Sequence, residues 1–253
     1  MQLNSSMRKG ALHGRVLVIT RPVGTAGTLA RQVRKLGGMP VLLPGLALRG
    51  PDDIAAVRAA LREGLADELV IFASPAAVRH AAALMPLSGS VVLAVGQGTA
   101  RALRRYGLRE LLVPDQQDSD GLLDLPILQD LRGRRVSLIG APGGRGVLRT
   151  QLAARGARLR EVHVYRRVPP RLDRRHVEAM LGLSDSARVL LSSNEALQNL
   201  CTLLPLPALD RLLAATAVVS SGRLAAAARR AGFTQIEQAS SALAGDMLDA
   251  AAR

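Results

Sequence analysis

The sequence predicts an α/β protein of two similar domains, each a parallel sheet flanked by helices. Two observations predict it. Short, continuously apolar runs recur, each ending in small or hydroxyl residues and each followed by an Ala/Leu/Arg segment with helical spacing, which is the βα alternation of a parallel sheet. The pattern also repeats itself after about 119 residues. At 253 residues, 48% apolar and 21% charged, the chain is long enough for two cores and too apolar for a disordered protein.

The elements follow in order. Residues 16–20 are apolar throughout and rich in β-branched side chains, as a strand covered on both faces requires. A helical pattern over 26–36 then stops at Gly37, the glycine that a left-handed helix cap favours. The pattern continues with a helix over 53–63, a strand at 69–73, a helix over 76–84, a strand at 91–95 and a helix over 99–106 closed by Gly107. Next come a strand at 136–139, a helix over 147–155 closed by Gly156, a helix over 175–181, a strand at 189–192 and a helix over 195–203. A strand at 217–220 and a helix over 223–231, closed by Gly232, complete the series. Shifted by about 119 residues, 16–22 falls on 135–141, Leu29, Gln32 and Gly37 on Leu148, Gln151 and Gly156, and Phe72-Ala73-Ser74 on Leu191-Ser192-Ser193. A duplicated unit explains this, with a ligand expected in the cleft between two domains; the general likeness of all βα units is the other explanation.

Residues 1–13 lack the apolar run of a signal peptide, and no stretch reaches the roughly 20 apolar residues of a membrane span, so the sequence predicts a cytoplasmic protein with no membrane partner. Cys201 is the single cysteine and excludes a disulfide framework; its apolar setting predicts a buried thiol. The histidines His13, His80, His163 and His176 have no ligand-like spacing, and no metal site is expected. The net charge of +14 has three readings: nucleic acid, a polyanionic small molecule, or a bias toward arginine. Aromatics at 2% speak against nucleic acid, because single strands bind on aromatic platforms. A ligand with several carboxylates suits guanidinium groups.

Hydroxyls, bare backbone or arginines stand at the strand-to-helix junctions Thr20-Arg21-Pro22, Ala73-Ser74-Pro75, Gly96-Gln97-Gly98-Thr99, Gly140-Ala141-Pro142-Gly143-Gly144-Arg145, Ser192-Ser193-Asn194 and Ser220-Ser221-Gly222-Arg223. Helix N-termini with free N–H groups attract carboxylates and phosphates. Helix capping alone also accounts for any one of these hydroxyls. Familiar signatures are missing: the glycine run from Gly140 lacks the Lys-Ser/Thr ending of a nucleotide loop, Gly96-Gln97-Gly98 lacks the third glycine of a dinucleotide fingerprint, and there is no nucleophile elbow. Tyr165, in Val162-His163-Val164-Tyr165-Arg166-Arg167, is a phenol able to give a proton to a departing hydroxyl, flanked by arginines that favour the phenolate left behind. On its own residues it equally suits a strand end with a packed ring.

In order and spacing, the runs 15–22, Ile71-Phe72-Ala73-Ser74-Pro75-Ala76-Ala77-Val78, Ala94-Val95-Gly96-Gln97-Gly98-Thr99-Ala100, Gly143-Gly144-Arg145, 162–167 and 191–196 resemble uroporphyrinogen-III synthases from Gly14 onward. The resemblance implies a discontinuous architecture: 1–45 with 170–253 as one domain, 51–162 as the other, each flavodoxin-like, joined by linker strands at 46–50 and 163–169. It implies a lyase that needs no cofactor and converts hydroxymethylbilane to uroporphyrinogen III with loss of water and inversion of the last pyrrole. Tyr165 matches the family's cleft tyrosine and is the implied acid. The implied substrate contacts are Arg21, Ser74, Gly98, Thr99, Gly143, Arg145, Ser193, Ser221 and Arg223. Relatives often carry a threonine where this chain has Leu224, so Ser220 or Ser221 replaces that hydroxyl or the contact is dispensable. The implied setting is a monomer beside the enzymes upstream and downstream in the pathway. A two-lobed binding module that holds a polyanion without reacting is the competing reading.

Overall fold

The computed structural model describes residues 10–143, 146–184 and 186–253. The chain divides into two compact units, Met1–Leu48 with Val168–Arg253, and Arg49–Arg167. It starts in the first unit with β1 (Val16–Ile19), α1 (Gly27–Lys35) and β2 (Met39–Leu42), and leaves it along β3 (Ala47–Arg49). The second unit contains α2 (Ile54–Leu65), β4 (Leu69–Phe72), α3 (Pro75–Leu84), β5 (Val91–Ala94), α4 (Gln97–Arg105), α5 (Ser119–Leu123), a 3-10 turn (Pro126–Leu128), β6 (Arg135–Gly140), α6 (Val147–Ala154) and β7 (Arg158–His163). The chain returns along β8 (Arg166–Val168) and completes the first unit with α7 (Arg174–Leu181), β9 (Arg188–Leu190), α8 (Asn194–Leu203), α9 (Leu206–Ala214), β10 (Thr216–Val219), α10 (Gly222–Ala231), β11 (Ile236–Gln238) and α11 (Ala244–Ala252). The two crossing strands, β3 and β8, pair with each other.

In the first unit the sheet runs β11-β10-β9-β1-β2, all parallel. Numbered within the unit this is the doubly wound, flavodoxin-like order, and it reverses between β1 and β9. The apolar runs of these strands are continuous because alternate residues enter separate cores. Val18, Val189, Ala217 and Val219 face the core built with α7, α8, α9 and α10. Leu17, Ile19, Leu190 and Val218 face the one built with α1 and α11. Each such leucine or isoleucine removed from water contributes roughly 2 kcal/mol.

The second unit has the parallel order β5-β4-β6-β7, reversing between β4 and β6. Leu69, Ile71, Leu93 and Val136 pack on one face beneath Leu122, Leu123, Leu128, Leu148 and Leu152. α2 and α3 cover the other face. The sequence repeat is legible in these sheets, since its shift carries β9, β1 and β2 onto β4, β6 and β7 in the same neighbour order. Beyond β5, where the first unit has β11, Leu93 and Leu112 form a single parallel bridge.

Some elements start elsewhere than the sequence suggests. Asp53 lies outside α2 as its cap, accepting from the Ala56 N–H at 2.9 Å. α4 begins at Gln97, two residues before the predicted start, because Gly96 supplies no side chain to mark the turn. Cys201 is half-buried, not fully enclosed, and burial pushes its thiol pKa up.

Candidate active site

In the first unit, Thr20 and Ser192 extend β1 and β9 at the point where strand order reverses and are hydrogen-bonded to each other. Arg21 follows and lines a small cavity of about 80 Å³ with Ser192 and Ser220. Burial holds its guanidinium below the ordinary arginine range, and among the described residues no carboxylate or carbonyl pairs with it. A cation partly withdrawn from water and left without a counter-charge is a site ready for an anion. Ser193 caps α8 by accepting from the Ala196 N–H at 3.1 Å, and Ser221 caps α10 by accepting from the Leu224 N–H at 3.3 Å. Arg223 is exposed in the first turn of α10, whereas the Leu224 side chain is buried in the core. The hydroxyls of Ser193 and Ser221 therefore cap helices, and each keeps its O–H to donate.

In the second unit, Ser74 caps α3, accepting from the Ala77 N–H at 3.1 Å. Its Oγ lies 3.3 Å from the Tyr165 hydroxyl, and either oxygen can donate. Tyr165 falls in the break between β7 and β8, is 8% exposed, and stacks on the His80 ring with centroids 5.1 Å apart and planes 20° apart. His80 lies on α3. Burial, with help from the neighbouring Arg79 charge, lowers its pKa and favours the neutral ring. The arginines flanking Tyr165 are engaged elsewhere: Arg166 pairs with Asp52, and Arg167 donates to the Pro142 carbonyl at 2.9 Å.

A larger cavity of about 490 Å³ opens at the carboxyl ends of this sheet, bounded by Ala73, Val95, Gly140 and His163 and by the start of α6. Gly143 forms part of its rim with φ of 77°, where a side chain would be strained and would press on Arg167. Gly98 and Thr99 occupy the first turn of α4; Thr99 is 3% exposed, on the face of the helix turned to the core. Arg145 lies outside the described residues. Among the described residues no three His, Cys, Asp or Glu side chains gather as metal ligands, and no helix is long and apolar enough to cross a membrane.

Ser74, Ser193 and Ser221 cap helices at the junctions read from the sequence, whereas Thr99 lies inside α4 turned to the core; Tyr165 follows β7. Two features were missed. Thr20 was legible only as part of a junction, although a threonine directly after a buried parallel strand is a signal for such a lock. His80 gave no signal, because nothing in its own spacing points to residue 165.

With both sheets in flavodoxin-like order, these strand ends define a class: doubly wound α/β proteins that hold small molecules where strand order reverses. The family model described as "Uroporphyrinogen-III synthase HemD" matches residues 27–249, and the chain belongs to that family. It is 29% identical over 234 residues to the uroporphyrinogen-III synthase of Salmonella typhimurium, covering 89% of this chain and 95% of that one. To the uroporphyrinogen-III synthase of Escherichia coli it is 33% identical over 151 residues, 59% of this chain and 61% of that one. Two solved structures share its fold. The uroporphyrinogen-III synthetase of Helicobacter pylori covers 93% of this chain and 97% of its own at 14% identity, with a TM-score of 0.60. A mutant uroporphyrinogen III synthase of Thermus thermophilus covers 93% and 96% at 23% identity, with a TM-score of 0.56.

Proposed function

We infer that this enzyme closes hydroxymethylbilane, a linear tetrapyrrole, into uroporphyrinogen III, releasing water and inverting the last ring. Membership of the family supports the reaction. The observation that carries the chemistry is the Tyr165 hydroxyl 3.3 Å from Ser74 Oγ at the end of β4. With Ser74 donating to the phenol oxygen, the Tyr165 O–H is free to protonate the substrate's terminal hydroxyl. The carbon–oxygen bond breaks, water leaves, and an azafulvenium cation remains. The last pyrrole attacks through its substituted carbon to give a spiro intermediate, which fragments and closes the other way round. The proton lost as that pyrrole regains aromaticity balances the one Tyr165 gave.

The substrate closes unaided to the isomer without inversion, so the enzyme's share is to hold a chain bearing many carboxylates in the fold that leads to inversion. On this reading Arg21, Arg145 and Arg223 hold carboxylates, with the hydroxyls of Ser193 and Ser221, the start of α4 at Gly98 and the Gly143 backbone on the rim of the larger cavity donating to others. Thr99, packed toward the core, contributes through the backbone of its helix turn. The segments 46–50 and 163–169 act as linkers between domains. The enzyme works as a monomer in the cytoplasm, beside the enzymes that make its substrate and consume its product.

The test is incubation with freshly prepared hydroxymethylbilane and chromatographic separation of the isomers. Type III product in excess is expected. Type III no higher than in a protein-free control overturns the reading. Tyr165→Phe should cut turnover by roughly a hundredfold with no loss of stability, and wild-type turnover would remove Tyr165 from the acid role.

A further inference from the structure

We propose that His80 is a positioning residue that fixes the plane of the Tyr165 ring while Ser74, the cap of the same helix, meets its hydroxyl. The proposal rests on the reading of Tyr165 as the acid. Tyr165 stands between two strands, where no sheet register dictates its side-chain direction. Two contacts on it come from α3 and its cap: Ser74 lies 3.3 Å from the hydroxyl, and His80 stacks on the ring. A contact at the tip of a tyrosine leaves rotation about its long axis free; a planar neighbour removes it. Because both contacts belong to one helix, tip and plane are held in a single rigid frame.

The imidazole suits this task. Among the described residues no hydrogen bond engages either of its nitrogens, so what it offers Tyr165 is a flat face. Burial favours the neutral ring, which keeps a second cation away from a substrate that passes through a cationic state. A phenol fixed in plane meets the departing hydroxyl in one orientation, and the gain falls on the chemical step, not on substrate affinity.

The composition permits a direct readout: the chain has two tyrosines and no tryptophan. Tyr106 is exposed at the end of α4, so Tyr106→Phe leaves Tyr165 as the only tyrosine seen by near-ultraviolet circular dichroism. In that background His80→Leu, which keeps volume and loses the flat ring, should weaken the Tyr165 band and lower kcat about fivefold to tenfold with KM and melting temperature unchanged. His80→Phe should restore band and kcat together. An unchanged band and kcat in His80→Leu, a fall in kcat with the band intact, or failure of His80→Phe to restore either one overturns the proposal. His80→Gln takes the place of His80→Leu should the latter not fold. Full turnover in Tyr165→Phe overturns the acid reading and the proposal with it. Reduced turnover in Tyr165→Phe with a band indifferent to His80 overturns the positioning alone.

Discussion

Thr20 and Ser192 fasten the ends of β1 and β9 together. The Thr20 hydroxyl donates to the Leu190 carbonyl and accepts the Ser192 N–H, each at 2.9 Å, while the Ser192 hydroxyl donates to the Thr20 carbonyl at 2.9 Å. Thr20 itself is fully buried. Thr20→Val keeps the shape, takes the acceptor from the Ser192 N–H and removes one of the two donors to the Leu190 carbonyl, which still accepts from the Thr20 N–H at 3.3 Å. The expected loss is about 1–3 kcal/mol, read as a lower urea midpoint at constant slope; an unchanged midpoint would mean that the hydroxyl is structurally idle.

Which parts of this architecture could be read in advance follows from where each strand lies. All four residues of β4 and of β10 are buried, and such runs announce themselves. β7 lies at a sheet edge, where exposed Arg158 and Glu161 break the apolar run, and β2, at the other sheet's edge, carries Pro40. Helix starts were visible where a hydroxyl caps them, at Ser74, Ser193 and Ser221, and misplaced at α4, where glycine does. In the candidate site, Arg21 stood in the sequence as one arginine among several at the junctions and became a contact only through the family resemblance, while the stack of His80 on Tyr165 joins residues far apart in the chain and leaves no periodic trace.

The second expected outcome concerns a carboxylate. Asp67 has only 5% of its side chain exposed and meets Ser137 at 2.7 Å, Arg160 at 3.2 Å and Arg135 at 3.4 Å. Asp67→Ala leaves the buried Ser137 hydroxyl without its acceptor and takes the counter-charge from two arginines. A loss of about 3 kcal/mol is expected in denaturant titration of the whole chain. Asp67→Asn, which can still accept from Ser137, should lose less, and equal losses would contradict the assigned hydrogen bond.

Acid should weaken the fold in two stages. His80 has a lowered pKa in the folded protein, so its contribution is complete above its ordinary value of 6.5 and is lost as pH falls below it. Glu68, lowered chiefly by the Arg135 backbone N–H, Asp173, lowered chiefly by that of His176, and Asp130, held at about 2 by hydrogen bonds from Arg132, contribute above the ordinary carboxylate range. Their share disappears as pH falls through about 4 toward 2. Melting temperature against pH should show both declines, the lower one shallower in high salt because those groups are exposed. His80→Leu should erase the upper decline, and its persistence in that variant would assign the upper stage to another group.

Arg21 separates binding from stability in the opposite sense. A guanidinium that is partly buried and unpaired among the described residues costs the folded state desolvation and gains no counter-charge. Arg21→Met keeps much of the aliphatic stem and removes the charge, so melting temperature should hold or rise. On the reading that Arg21 receives a substrate carboxylate in the cavity it shares with Ser192 and Ser220, the same change should raise KM about tenfold or more. Arg21→Lys should recover part of that, since an ammonium retains the charge without the two-pronged geometry. The informative result is the pair of measurements taken together. A variant that is at least as stable as the parent yet binds hydroxymethylbilane more weakly shows that the arginine serves the ligand. Lower stability with unchanged KM would instead mean that it serves the fold, and the carboxylate site would have to be sought among the other strand ends.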